Sequence, residues 1–301
     1  MLAAFSCNRN LGPGVVKTII FSIEAYQELD DAGLPQSKTS IQNSNVFVWA
    51  EGDTVGIYPD TGGQVYFAMI PGEGATSAKF DGGGWDLKPS SSYYSYYPFI
   101  SDVYLNRNHI PVRYVGQKQT GTGGVDHIGK FDYMYTPPAS AESGEVHFSY
   151  KHLSCIIRPR LTLPAGTYTK LAVTAPTAVF GKTGWFDLMA STPAIVPADM
   201  SKQIQIDLEG VTLAEETTFQ VYMLSNPVDL TGVEITVSVL NTNNVELQCK
   251  KTPSGAYTPA KIGGLTCASW TEVPASEGLI EEGWSAGEHE NVIYNPNPVI
   301  D

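Results

Sequence analysis

The sequence has few charged residues, and those it has are mostly of one sign. Only 16% of the 301 residues are charged, and 31 acidic against 18 basic residues give a formal net charge of −13. An acidic surface repels phosphate groups, so we expect no nucleic acid partner. No stretch approaches the roughly 18 uncharged apolar residues that a membrane-spanning helix needs. Nucleic-acid-binding proteins and helical membrane proteins are therefore poor hypotheses.

Metal ligands are equally scarce. The chain has four cysteines, Cys7, Cys155, Cys249 and Cys267, and five histidines, with no CxxC, HxxxH or HExxH pattern among them. We therefore expect no zinc site and no other cofactor. Cys249 and Cys267 flank a turn-rich stretch and could form a disulfide in an oxidising compartment. Separate buried thiols, acting as small hydrophobic side chains, are the preferred interpretation.

Sequence motifs of catalysis are also missing. The glycines of Gly121–Gly124 lack GxGxxG spacing and a Walker lysine, and no GxSxG nucleophile elbow is present. Two carboxylates across a cleft could make a glycosidase. The acidic pairs at Asp30 and Glu281 are better interpreted as solvated turn charges. We expect no enzyme, and a secreted hydrolase is the weakest hypothesis.

What the chain does have is the composition of a β protein. It contains 29 glycines, 20 prolines and 16 tyrosines, which suits many short strands joined by turns. Val16–Tyr26 alternates at period two, as do Gln203–Leu208 and Val233–Leu240. No stretch of a dozen residues shows a helical period, so an all-β fold is predicted. One face of the first strand carries Lys17, Ile19, Phe21, Ile23 and Ala25.

The N-terminus and one break in the strand pattern suggest the domain organisation. Met1–Cys7 resembles the end of a bacterial lipoprotein signal, in which Cys7 would be acylated, although the charged region and a full apolar run of about 7–15 residues are missing. The strand series restarts near Ser149–Ser154. We predict a residual signal and tether over 1–14, one β-sandwich domain over 15–150 and a second over 151–301.

Three segments resemble the fimbrillin family. Trp49–Tyr58 is similar to its W-x-x-G-D-x-(V/I)-x-(V/I)-Y core, Ser95–Phe99 resembles its Y-Y-P segment, and Phe219–Gly232 resembles a strand and turn of its C-terminal half. The resemblance implies two transthyretin-like Greek-key β-sandwich domains in tandem. It further implies an exported lipoprotein precursor of Gram-negative anaerobes that forms type V pili.

In that family a protease cuts after a basic residue and removes the first strand, and another subunit's strand fills the groove. Lys38 is the only basic residue between the first strand and Trp49, so the resemblance makes Lys38 the processing site and the face from Lys17 to Ala25 the exchangeable strand. Lysine suits a strictly arginine-specific protease badly. Some family members are anchors or tips that keep their first strand.

The sequence thus predicts a structural, adhesive protein at the cell surface: a pilus subunit, anchor or tip that assembles by donor-strand exchange. Its expected partners are other pilin subunits, a surface ligand on host or bacterium, and the outer membrane through a lipid anchor. The alternative is a glycan-binding surface lipoprotein in which Tyr94 and Tyr96 stack on sugars. Packing of these tyrosines within the protein is the simpler interpretation.

Overall fold

The computed structural model describes residues 18–23, 27–29, 48–50, 52–70, 77–82, 87–281 and 283–284. Their regular structure is almost entirely β-strand, with one short α-helix, α1 (Ile128–Phe131), and two single-turn 3-10 helices (Ser101–Val103 and Ala275–Glu277), so the predicted all-β class is confirmed. The first strands are β1 (Thr18–Ile23), β2 (Gln27–Leu29), β3 (Thr54–Pro59), β4 (Val65–Met69), β5 (Ser77–Asp81), β6 (Tyr93–Tyr97), β7 (Ile110–Arg113), β8 (Lys118–Thr120), β9 (Met134–Tyr135) and β10 (Glu145–His152). The remainder are β11 (Cys155–Leu163), β12 (Gly166–Thr174), β13 (Phe180–Phe186), β14 (Val196–Ser201), β15 (Gln203–Leu213), β16 (Thr217–Gln220), β17 (Met223–Ser225), β18 (Ile235–Asn241), β19 (Val245–Lys251), β20 (Lys261–Cys267) and β21 (Thr271–Pro274).

Strands of the first half close into a barrel in the order β1-β10-β9-β6-β3-β4-β5. These strands close around a core because buried and exposed residues alternate along them. In β10, for example, every second residue from Val146 to His152 is buried and the residues between them are exposed. The barrel core contains Phe21, Trp49, Phe80 and Phe148.

Two sheets of the second half pack face to face. One has the order β16-β11-β20-β2, with β17 also pairing with β11, and the other has the order β21-β19-β18-β12-β15-β8. Their inner faces share one hydrophobic cluster, to which Ile157 and Leu265 contribute from the first sheet and Leu171 and Val237 from the second. This half is therefore a sandwich.

A third sheet, with the order β14-β13-β7, and a third hydrophobic cluster join the barrel to the sandwich. This cluster takes Tyr58 and Tyr96 from the barrel, Phe186 from β13, and Leu224 and Ile262 from the sandwich. Aromatic side chains therefore fill the space between the two halves.

The prediction of two sandwiches in tandem is not confirmed, because the first-half strands close into a barrel. Three other strands of the first half lie outside the barrel and pair with strands of the second half: β2 with β20, β7 with β13 and β8 with β15. The predicted boundary after residue 150 lies inside β10, and the division at that point stays a prediction. No helix in the described ranges is long and apolar enough to cross a membrane.

Candidate functional site

The candidate site is the slot that β1 occupies in the barrel. On one side β1 runs parallel to β10, with Phe21 level with Phe148. On the other side it runs antiparallel to β5, with Phe21 level with Ala78. Both edges of β1 are therefore bonded to neighbours, and removal of β1 would leave two unpaired strand edges.

The side chains of β1 alternate as the sequence predicts. Ile19 and Phe21 are buried in the barrel core, whereas Ile20 and Ser22 on the other face are half-buried. Ser22 Oγ donates to the backbone oxygen of Phe148 at 3.3 Å and lies 3.2 Å from Ser149 Oγ. One face of β1 is thus an apolar plug, and the other carries a hydrogen bond to β10.

Phe21 is the centre of that plug. Its ring centroid lies 4.4 Å from that of Phe80, 5.3 Å from Phe148, 5.6 Å from Tyr150 and 6.1 Å from Trp49. The Phe80 and Trp49 rings meet it edge to face, which is a favoured geometry for aromatic pairs. Four aromatic rings therefore line the pocket that Phe21 fills.

Several predicted residues lie outside the described part of the chain. These are the acylation site Cys7, the two end residues of the predicted strand face, Lys17 and Ala25, and the processing site Lys38. For Ile23 the structure gives the backbone pairing with Tyr150. The roles proposed for all five residues stay predictions.

The strand β2 is not among those predicted from the sequence. Gln27–Leu29 pairs in parallel with β20, with Glu28 level with Ile262. The segment that begins with β1 in the barrel therefore continues as the edge strand of the sandwich. Three residues with a single apolar side chain give no periodic signal, so the sequence could not have revealed this strand.

The tyrosine cluster does not form an open platform. Tyr96 is fully buried, donates its hydroxyl proton to Gln64 Oε1 at 2.6 Å and accepts from the backbone N–H of Ile100 at 3.1 Å. Tyr94 is half-buried against the same cluster between the two halves. Tyr96 accordingly offers no ring face on which a sugar could stack.

The geometry of the histidine, cysteine and carboxylate side chains gives little support to metal binding or catalysis. Over the described ranges, no group of three or more His, Cys, Asp and Glu side chains is placed to hold a metal ion. His152 Nδ1 and Asp132 Oδ2 lie 2.8 Å apart, but both side chains are fully buried. Cys155, Cys249 and Cys267 are buried and form no disulfide with one another, which agrees with the interpretation as separate thiols for these three.

No family model and no curated protein matches the sequence. Among solved structures, a candidate cell adhesion protein from Bacteroides ovatus matches with a TM-score of 0.56 and 11% identity, over 85% of this chain and 94% of its own. A second, from Bacteroides uniformis, matches with a TM-score of 0.51 and 14% identity, over 75% and 93%. The chain shares its fold with these proteins. A fimbrial protein from Bacteroides ovatus also matches, with a TM-score of 0.35 and 11% identity, over 90% of this chain and 56% of its own. At the level of the fold, the neighbours agree with the fimbrillin resemblance of the sequence.

Proposed function

We propose that this chain is a structural and adhesive cell-surface protein, a pilus subunit or a pilus anchor or tip, that assembles by strand exchange at the β1 slot. The placement of β1 between β5 and β10, with Phe21 buried among aromatic rings, is the observation that carries the proposal. The fold shared with candidate cell adhesion proteins supports the same assignment. We propose no enzymatic activity.

Removal of β1 would leave an empty slot in the barrel. Truncating a buried phenylalanine costs about 3–5 kcal/mol and a buried isoleucine about 2–5 kcal/mol. A barrel without β1 would lose both Phe21 and Ile19 from its core and would expose backbone groups of β5 and β10. An extended strand with alternating apolar side chains would restore the packing and the hydrogen bonds together.

A cut after Lys38 would act on both halves of the molecule. Both β1 and β2 precede Lys38, so the released fragment would include both strands. The barrel would lose β1, which is paired with a neighbour on each side, and β20 would become an edge strand of its sandwich sheet. We infer that a strand of a second subunit fills the barrel slot. Acylation at Cys7 would hold the uncut precursor at the outer membrane, and the two halves would correspond to the two transthyretin-like domains of the fimbrillin family.

Native digestion with a lysine-specific endoprotease tests this proposal, with Lys38→Ala as the matched control. We expect the wild-type chain to release its N-terminal fragment and form oligomers on size-exclusion chromatography, while the control keeps the fragment and stays monomeric. A wild-type chain that releases the fragment and neither oligomerises nor binds a synthetic peptide of residues 16–26 would refute exchange at this slot. The glycan-binding alternative gains no support, because Tyr96 is buried.

A further inference from the structure

The outer face of the six-stranded sheet carries a row of polar side chains that the chain itself covers. In β15, Ile204 and Ile206 point into the sandwich core, so Gln203 and Gln205 point outward. In β19, Leu247 faces the core and Glu246 points outward. All three outward side chains are nonetheless buried.

The covering segment is residues 278–281, which we call the strap. Glu246 accepts hydrogen bonds from two of its backbone amides, that of Leu279 at 2.9 Å to Oε1 and that of Ile280 at 3.1 Å to Oε2. Gln248 Nε2 donates to the same Oε1 at 2.7 Å. One carboxylate therefore holds two consecutive amides of the strap.

The two glutamines hold the rest of the strap. Gln203 donates to the carbonyl of Leu279 at 2.8 Å and accepts from the amide of Glu281 at 3.0 Å. Gln205 donates to the carbonyl of Glu281 at 2.6 Å. Every one of these contacts is made to the backbone of the strap, while the side chains of Leu279 and Glu281 are exposed.

Two further features fit a strap that can lift. Ser238 Oγ and Gln205 Oε1 are buried under this face with no hydrogen-bond partner among the described residues, and opening would let water reach them. Gly278 lies so close to Glu246 that a Cβ at this position would collide with the carboxylate. The strap is thus packed tightly against Glu246, while two polar atoms beneath it, Ser238 Oγ and Gln205 Oε1, have no partner in the described part of the chain.

We propose that Glu246, Gln203 and Gln205 form a latch that binds the strap through its backbone, and that the strap opens as a unit without unfolding of the sandwich. Opening would uncover the polar row and free residues 279–281. Trp284 lies just after them, with its ring buried in the sandwich core and its carbonyl accepting from the amide of Gly116 at 2.9 Å. Glu246 is a positioning residue for the strap. The latch lies on the sandwich, so it does not depend on exchange of β1.

Hydrogen exchange on the full-length protein tests the latch. Glu246→Gln keeps the side-chain shape but sets an NH₂ group against one of the two strap amides, so we expect exchange of the Leu279, Ile280 and Glu281 amides to become at least tenfold faster. Amides of β12, β15 and β18 should keep their rates. Glu234→Gln is the matched control, because Glu234 is exposed and pairs with Lys250 at 2.8 Å on the same sheet; it should change nothing in the strap.

Two more variants make the test decisive. Gly278→Ala should also make these amides exchange faster, because its added Cβ would collide with the Glu246 carboxylate. Ile280→Ala should leave them protected, because the latch binds the backbone of the strap and not its side chains. The proposal is overturned if Ile280→Ala accelerates exchange as much as Glu246→Gln does. It is equally overturned if the strap and the core strands of the wild-type protein exchange together, since the strap would then have no opening of its own.

Discussion

Replacement of Phe21 by alanine is the most direct test of how β1 is held. The Phe21 ring is fully buried and has aromatic rings on several sides, the nearest being Phe80 at 4.4 Å. A buried Phe→Ala change costs about 3–5 kcal/mol, and lost aromatic pairs favour the upper part of that range. Because a whole domain is stable by about 5–15 kcal/mol, this one side chain supports a large share of the barrel.

The matched control is Ile20→Ala, on the half-buried face of the same strand. Its smaller loss of buried area should cost about 1 kcal/mol. Urea unfolding followed by circular dichroism and tryptophan fluorescence measures both variants. With a slope near 3 kcal/mol/M, which is about the upper value for small proteins, Phe21→Ala should lower the midpoint by roughly 1.0–1.7 M.

The same change should also loosen β1 after cleavage. A loss of about 4 kcal/mol corresponds to a nearly thousandfold weaker hold on the cut strand. A fluorescent peptide of residues 16–26 should therefore replace the resident strand of the cleaved variant far sooner than that of the cleaved wild-type protein. Equal midpoints for Phe21→Ala and Ile20→Ala would refute the reasoning, because the apolar face of β1 would then not be what anchors it.

Two further results are expected from side chains outside the slot. Burial raises the pKa of Tyr133 to about 12, whereas the pKa of an unfolded tyrosine is about 10. Between pH 10 and pH 12 the unfolded chain therefore loses this proton before the folded one does. The free energy of unfolding should fall by about 1.4 kcal/mol per pH unit over that range. In Tyr133→Phe, urea midpoints measured from pH 9 to 12 should fall less steeply with pH than in the wild-type protein. An unchanged slope would contradict the raised pKa of Tyr133. Gly263→Ala should cost about 1–3 kcal/mol, because the new Cβ meets the Tyr257 ring. Gly255→Ala, with nothing within 4 Å of its added Cβ, is the control, and equal losses for the two variants in thermal unfolding would count against the packing argument.

The sequence predicted strands and their inward faces because period-two alternation is a local property. Ile19 and Phe21 share one face of the predicted first strand, and the structure places both in the barrel core. Which strands pair with each other cannot be predicted in the same way. The parallel match of β1 to β10 joins segments more than a hundred residues apart, and nothing local in either segment specifies it.

Alternation also fails where both faces of a strand are covered. Tyr97 of β6 packs in the barrel core while Tyr96, on the opposite face, packs in the cluster between the halves. Gln203 and Gln205 likewise have the pattern of a solvent face, but the strap covers them. Burial by a distant segment leaves no mark on the spacing of the residues that it covers.

Closure of the barrel has a consequence for the timing of assembly. A sheet that returns to its own first strand has no terminal strand, so the barrel offers a second copy no free strand edge, whereas the other three sheets end in edge strands. If subunits join through the β1 slot, as proposed above, the uncut protein would not polymerise through its barrel even at high concentration. Under that proposal, cleavage after Lys38, and not the concentration of the protein, would set when polymerisation through the barrel begins.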